Sequence, residues 1–152
     1  MVANHIKSFV KGTEEILSTM LGESLKTDRP YKKEAPFLTD SMVAVVGFNG
    51  DVRGQVVYSF CTDYAKKVVS LMCGMEIDAF DEMSSSALSE LCNMISGRSA
   101  TYFSETTDKR VDITPPTVLS GNDIKVSAKP PVLCIPFKEG EDIVLEINYS
   151  SN

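Results

Sequence analysis

Glu90 and Asn93 are the residues whose types and spacing could do chemistry in this 152-residue chain. They lie three positions apart in the segment SALSELCNMISG, residues 86–97, which has the apolar periodicity of a helix. Residues three apart are neighbours on a helix surface, so the carboxylate and the carboxamide should project side by side. A carboxylate can pair with a cation, and a carboxamide can both donate and accept hydrogen bonds. Two interpretations stay open from spacing alone: a solvated helix surface, and a small reactive site.

The helix that carries this pair is predicted to run from about Asp81 to Glu105. At about 100° per residue, one side forms a core stripe: Leu88, Leu91, Cys92, Ile95, Ser99, Tyr102 and Phe103. Four positions about 140–200° from that stripe form an outward ridge: Ser86, Glu90, Asn93 and Gly97. Small residues adjoin both ends of the ridge: Ser84, Ser85, Ser89, Ser96 and Ala100. Glycine costs about 1 kcal/mol in a helix interior, so Gly97 on this narrow ridge indicates that another molecule approaches closely.

Composition narrows the class of protein. The net charge of -6 and the pI of about 4.8 disfavour partners with phosphate backbones and anionic membranes. No apolar run approaches the roughly 20 residues of a membrane span. A single histidine, His5, disfavours a zinc site or a histidine-based triad. The four cysteines could form two disulfides, but they are scattered among apolar neighbours and no signal peptide precedes them, which predicts reduced thiols in the cytoplasm.

The rest of the chain must position this helix, and a single domain over residues 1–152 is predicted. Residues 4–21 have helical spacing, and Gly22 should end that helix. Residues 23–40 are polar and interrupted by prolines, so we expect a connection with one extended segment, which could serve as an edge strand.

Further elements follow from turn and cap signals. Asn49-Gly50-Asp51 between two β-rich runs predicts a hairpin. Thr62 or Asp63 is predicted to cap a second helix that ends at Gly74. Pro115 and Pro116 exclude helix, and three strands are expected after the long helix: about 117–120, 124–135 and 142–149. This order indicates an α+β fold with helices packed on a mainly antiparallel sheet.

Three segments resemble the CheC/CheX/FliY family of chemotaxis phosphatases, and within it the CheX branch. Residues 86–93, SALSELCN, match the family's [DS]-x-x-x-E-x-x-N helix motif. Residues 111–121, VDITPPTVLSG, and residues 50–60, GDVRGQVVYSF, occur in the CheX order with similar separations, so the likeness covers about residues 40–148. It implies a CheC/CheX-like fold and hydrolysis of the aspartyl phosphate of a CheY-type response regulator, which terminates a chemotaxis signal.

The resemblance also implies roles for the residues on the ridge. Asn93 would enter the regulator's active site and orient a water in line with the P–O bond, and Glu90 would pair with the regulator's active-site lysine. Placing a water can suffice, because phosphoryl transfer asks little covalent chemistry of the protein. The chain should bind no cofactor itself, since the phosphorylated partner supplies Mg²⁺. Other contacts to the partner are expected at neighbouring positions: Ser86, Ser89, Met94 and Gly97.

Differences from relatives and open alternatives complete this prediction. Glu15 and Ser18 repeat the spacing in the first helix with a serine too short to act as an amide, so one active site per chain is expected. Cys92 replaces a glycine usual in relatives and should fill the core. The resemblance further implies a homodimer in which strands extend or exchange across the subunit boundary. Two alternatives remain: a non-catalytic docking module for a receiver domain or motor component, and a CheX-like phosphatase of a non-chemotactic two-component pathway.

Overall fold

Three helices and ten strands are present in residues 2–39, 42–122 and 124–151, which the structure, a computed structural model, describes. The helices are α1 (Val2–Leu21), α2 (Thr62–Cys73) and α3 (Glu82–Thr107). The first five strands are β1 (Lys26–Thr27), β2 (Tyr31–Lys33), β3 (Phe37–Leu38), β4 (Met42–Gly50) and β5 (Gly54–Phe60). The last five are β6 (Val111–Ile113), β7 (Thr117–Ser120), β8 (Lys125–Val126), β9 (Val132–Glu139) and β10 (Asp142–Ser151).

An antiparallel sheet is the platform on which the helices pack. Its strands follow the order β1-β9-β10-β5-β4-β6, with β2 also paired to β9 and β7 to β4. The β4–β5 hairpin predicted around residues 49–51 is present, with Val45 opposite Val57. Strands β3 and β8 form a separate two-stranded sheet. The predicted α+β fold with a mainly antiparallel sheet is confirmed.

Alternation along the strands produces two apolar layers. In β5, Val56, Tyr58 and Phe60 belong to the main core under the helices. Val57, between them in sequence, joins a smaller cluster on the opposite face, where it packs with Phe37 of β3. Side chains alternate between the two faces of a strand, so one sheet can pack against the helices and against the β3–β8 pair at once.

Three predicted details of these elements are wrong. The N-cap of α2 is Cys61, not Thr62 or Asp63, because the N–H of Cys61 bonds to Val144 O at 3.0 Å and keeps this residue extended. The strand expected at 124–135 is interrupted between β8 and β9, where Pro130 and Pro131 cannot donate to a ladder. The connection at 23–40 contains three short strands rather than one, and two of them pair with β9. The prediction that Gly74 ends α2 is confirmed, with a φ of 67°.

Gly12 permits close contact between α1 and α3. A Cβ added to Gly12 would lie 2.2 Å from Ser99 Oγ and 2.9 Å from Ser99 N. No rotamer change of Ser99 relieves the second contact, because it involves the backbone. The long helix that carries the ridge is therefore seated directly against α1.

Gly12→Ala is expected to lower the free energy of unfolding by about 1–3 kcal/mol, since the methyl group must push the two helices apart. Urea denaturation of both proteins measures this difference. Gly97→Ala is the matched control, because among the described residues of neighbouring elements the nearest atom to a methyl group there is Ile113 Cδ1, at 4.0 Å. That control should gain up to about 1 kcal/mol from helix propensity. Equal midpoints for Gly12→Ala and wild type would contradict the close helix contact.

His5 anchors the N-terminal part of α1 in the core. Its side chain is 4% exposed, its Nδ1 shares a hydrogen bond with the Tyr149 hydroxyl, and its ring meets Phe103 edge-on at 4.3 Å between centroids. Burial lowers the pKa of His5 to about 4, and the positive charge of Lys109 contributes further. Between pH 6.5 and about pH 4, His5 is therefore protonated in the unfolded chain but neutral in the folded protein.

Acidification from about pH 7 to about pH 4.5 should therefore destabilise the fold through His5. We expect a loss of about 2 kcal/mol, less than the roughly 3 kcal/mol of the full shift, because solvent near the helix end screens the charge. Urea midpoints across this range measure the loss, and His5→Gln is the control that lacks the titrating group. Wild type and His5→Gln with parallel pH profiles would contradict this assignment.

Candidate functional site

The start of α3 is defined by a side-chain cap. Asp81 has an extended backbone, and its carboxylate accepts hydrogen bonds from Ser84 N and Ser84 Oγ, both at 2.9 Å. These bonds lower the pKa of Asp81 below its usual range. The predicted start is confirmed, and the helix continues to Thr107, two residues beyond the predicted end.

The inner side of α3 holds the helix on the sheet. Leu88, Leu91 and Ile95 are fully buried, as the helical periodicity predicts. Ser96 is buried too, and its hydroxyl lies 2.6 Å from the hydroxyl of Tyr58 on β5. These contacts fix the rotation of α3, so the opposite side of the helix must face away from the sheet.

Some residues expected beside the ridge or in the core stripe lie elsewhere. Ser84 and Ser96 do not border the ridge, because both are buried and hydrogen-bonded. Tyr102 is not in the core, because its hydroxyl bonds to Glu15 at the margin of α1. Cys92 is fully buried and burial raises its pKa, so its predicted place as a core filler is confirmed.

The ridge lies at the protein surface. Among the residues expected to contact a partner, Ser86 and Glu90 are exposed, whereas the others are half-buried: Ser89, Asn93, Met94 and Gly97. Within the described ranges, neither the Glu90 carboxylate nor the Asn93 carboxamide makes a hydrogen bond or ion pair. Both groups are therefore available to another molecule, and they adjoin on one helix turn.

Gly97 has no structural requirement for glycine within the chain. It is half-buried, and outside its own helix turn the nearest described atom to an added Cβ is Ile113 Cδ1, at 4.0 Å. This differs from Gly12, where the neighbouring helix excludes a side chain. The absence of a side chain at Gly97 leaves the ridge low one helix turn after Asn93.

A shallow groove of about 330 Å³ runs along one flank of the ridge, between α3 and β7. We call it the α3–β7 groove, and six residues line it: Glu82, Ser85, Ser86, Ser89, Glu90 and Val118. A larger cavity of about 630 Å³ lies beside α1 and includes Glu15 and Ser18 but no ridge residue. The candidate site projects from the surface, so this larger cavity does not mark it.

Glu15 on α1, which repeats the spacing of the ridge, is engaged within the chain. Its carboxylate accepts hydrogen bonds from Arg98 Nε at 2.6 Å and Arg98 Nη2 at 3.1 Å, and a third from the Tyr102 hydroxyl. These bonds, first those from Arg98, lower the pKa of Glu15 below its usual range. Ser18, one turn further on, is exposed. The Glu15–Ser18 positions therefore present neither a free carboxylate nor a carboxamide.

Neither a metal site nor a membrane-spanning helix is found among the described residues. In those ranges, no group of three or more histidine, cysteine, aspartate or glutamate side chains could hold a metal ion. None of the helices described is both long enough and apolar enough to cross a lipid bilayer.

Comparison with known proteins decides the family. Residues 42–138 match the family described as Chemotaxis phosphatase CheX. The chain belongs to the CheX family. A curated relative, the CheY-P phosphatase CheX of Thermotoga maritima, is 37% identical in an alignment of 155 positions that covers 99% of this chain and 99% of the relative.

Solved structures give the same result for the CheX fold. The chemotaxis protein CheX from Desulfovibrio desulfuricans has a TM-score of 0.88 and 30% identity over 97% of this chain and 99% of its own. The CheX–CheY–BeF3–Mg²⁺ complex from Borrelia burgdorferi has a TM-score of 0.82 and 26% identity over 97% of each chain. The resemblance to the CheX branch, the fold and the class of chemotaxis phosphatase are therefore confirmed.

Proposed function

We propose that this CheX-family chain hydrolyses the aspartyl phosphate of a CheY-type response regulator, with Asn93 and Glu90 as its working residues. The observation that carries the proposal is the unpaired Glu90–Asn93 pair on an outward ridge of α3. A ridge can enter another protein's active site, whereas a cleft would have to receive a substrate.

Asn93 would orient the water. Its carboxamide oxygen accepts a hydrogen bond from a water placed in line with the P–O bond, and its NH₂ group donates without adding negative charge beside the phosphate. The water oxygen bonds to phosphorus as the bond to the aspartyl oxygen breaks, so inorganic phosphate and a free aspartate result. Mg²⁺ held by the regulator would neutralise charge on the phosphoryl oxygens, in keeping with the relative from Borrelia, whose structure combines CheX, CheY, BeF3 and Mg²⁺.

Glu90 would set the register between the two proteins. Its exposed carboxylate precedes Asn93 by about one helix turn and has no cation of its own within the described residues. An ion pair with the regulator's active-site lysine would place Asn93 beside the phosphoryl group. Ser86, Ser89, Met94 and Gly97 would form the surrounding contact surface, with Gly97 as the point of closest approach.

The direct experiment adds the purified protein to a phosphorylated regulator with Mg²⁺ and follows phosphate release. Acceleration of release supports the phosphatase, whereas binding without acceleration identifies a docking module. Parallel assays with regulators of chemotaxis and of other two-component pathways identify the pathway, because the true substrate should have the highest kcat/KM.

We also propose a homodimer that acts in the cytoplasm. The short strands β1 and β2 pair with β9 at one side of the sheet, where extension or exchange between two copies would continue the ladder. No disulfide links the cysteines within the described residues, as reducing conditions require. Light scattering gives the mass in solution, and a monomer at assay concentrations would contradict the dimer.

A further inference from the structure

We propose that the α3–β7 groove receives a basic side chain of the phosphorylated regulator, distinct from its active-site lysine, and that Glu82 is the specificity-determining residue there. This inference rests on the proposed function, because it names a second contact with the same partner. The groove adjoins the ridge, since Ser86 and Glu90 belong to both. A regulator seated on Glu90 and Asn93 therefore covers the groove as well.

The charge in the groove is not neutralised within the chain. Glu82 and Glu90 are exposed at its two ends, and neither makes a hydrogen bond or ion pair in the ranges that the structure describes. Four glutamates that do contact a cation within 4 Å lie outside the groove: Glu15, Glu23, Glu139 and Glu146. In a chain with a net charge of -6, this groove attracts a positively charged group from outside.

The shape of the groove favours a long basic side chain over a bare metal ion. Eight residues of α-helix separate Glu82 from Glu90, which is about 12 Å along the axis, too far for both carboxylates to bind one ion. The volume of about 330 Å³ and the apolar lining at Val118 suit a lysine or arginine stem. The methylenes of such a stem lie on apolar surface while the charged head reaches a carboxylate.

Met83 adds an exposed apolar group beside Glu82 on the surface that a docked regulator would cover. Its side chain is 51% exposed, and it lies three positions before Ser86 and seven before Glu90, on the same outward stripe of α3. With Gly97 at the other end, the face is about 21 Å long. An exposed methionine beside two unpaired carboxylates matches a protein partner with apolar and basic groups together.

Glu82 also lies in the first turn of α3, where any carboxylate stabilises the helix dipole. A helix role changes thermal stability, whereas a docking role changes KM and its dependence on salt. The experiment must therefore read both quantities from the same variants.

Steady-state phosphate release is measured for wild type, Glu82→Gln, Glu82→Lys and Glu82→Asp at about 50 mM and about 300 mM salt, with melting temperatures recorded alongside. Glu82→Lys should raise KM roughly tenfold or more at low salt and Glu82→Gln about threefold, with the effect in KM rather than kcat. Glu82→Asp should restore most of the affinity. High salt should reduce all these differences.

Glu105→Lys is the matched control, because Glu105 is exposed near the far end of the same helix. The KM of this variant should equal that of wild type. An unchanged KM for Glu82→Lys, or an equal rise for Glu105→Lys, would overturn the proposal. Failure of the proposed function has a different result. Wild type would then not accelerate phosphate release, and substitutions of Glu82 would change only the affinity for beryllofluoride-activated regulator.

Discussion

Asn93→Ala is expected to lower kcat for phosphate release roughly 100-fold or more while affinity for the regulator changes by less than about threefold. The reason is that the alanine leaves the ridge in place but removes the carboxamide that orients the attacking water. Phosphate release under single-turnover conditions measures the chemical step, and binding of beryllofluoride-activated regulator measures affinity separately. The fold should be unaffected, because Asn93 makes no side-chain hydrogen bond with other described residues.

Two further variants sharpen this test. Asn93→Asp keeps the size of the side chain but adds a negative charge beside the phosphoryl group, so it should be as inactive as alanine. Asn122→Ala removes an exposed carboxamide in the loop after β7 and should match wild type. If Asn93→Ala retains the wild-type kcat, another group orients the water and the assignment of Asn93 is wrong.

Glu90→Ala is expected to weaken binding of the activated regulator about 30-fold or more and to lower kcat several-fold as well. Truncation leaves the regulator's lysine unpaired in the interface, and the register that places Asn93 is then loosely held. Affinity should be measured by calorimetry at low and high salt, because loss of an ion pair reduces the salt dependence. The free energy of unfolding, measured by urea denaturation, should equal that of wild type within about 0.5 kcal/mol, since Glu90 is exposed.

Charge alone does not account for that expected loss. Glu105→Ala removes one negative charge from the exposed surface of the same helix, about 22 Å from Glu90 along the axis. It should bind the regulator as wild type does. Equal weakening by Glu90→Ala and Glu105→Ala would mean that long-range attraction dominates and that Glu90 forms no specific pair.

The glycines of α1 and α3 differ in how closely they are packed within the fold. At Gly12 a methyl group would collide with Ser99 of the neighbouring helix, so the fold itself requires glycine. At Gly97 no described residue of a neighbouring element lies nearer than 4.0 Å to an added Cβ, so the fold tolerates alanine. We therefore expect that a larger residue at position 97 leaves the free energy of unfolding unchanged but weakens binding of the regulator.

The long helix could be predicted well because its determinants are local. A periodicity of about 100° per residue separates Leu88 and Ile95 from Glu90 and Asn93 before any tertiary contact is known. The cap at Asp81 uses only a carboxylate and the backbone three residues later. The unusual glycine on the outer side was equally visible in the sequence. The spacing of Glu90 and Asn93 did not identify the reaction, and the family resemblance did.

Contacts between distant segments could not be predicted in the same way. Ser96 is buried because Tyr58, 38 residues earlier, presents its hydroxyl to that turn of α3. Tyr102 lies outside the core because its hydroxyl donates a hydrogen bond to Glu15, 87 residues earlier in the chain. Helical periodicity predicts the direction in which a side chain points, but it does not predict which helix or strand lies there.

The amino-acid sequence by itself determined the outward Glu90–Asn93 pair, the helix that carries it and the α+β class, since each depends on local geometry and residue order. Only the tertiary structure decided that Glu15 pairs with Arg98 while Glu90 has no ion pair with any residue that the structure describes. It also decided that Val118 of β7 lies beside Ser89 and Glu90 to form a groove. Those outcomes depend on strand register and helix packing, which bring together residues that no sequence spacing relates.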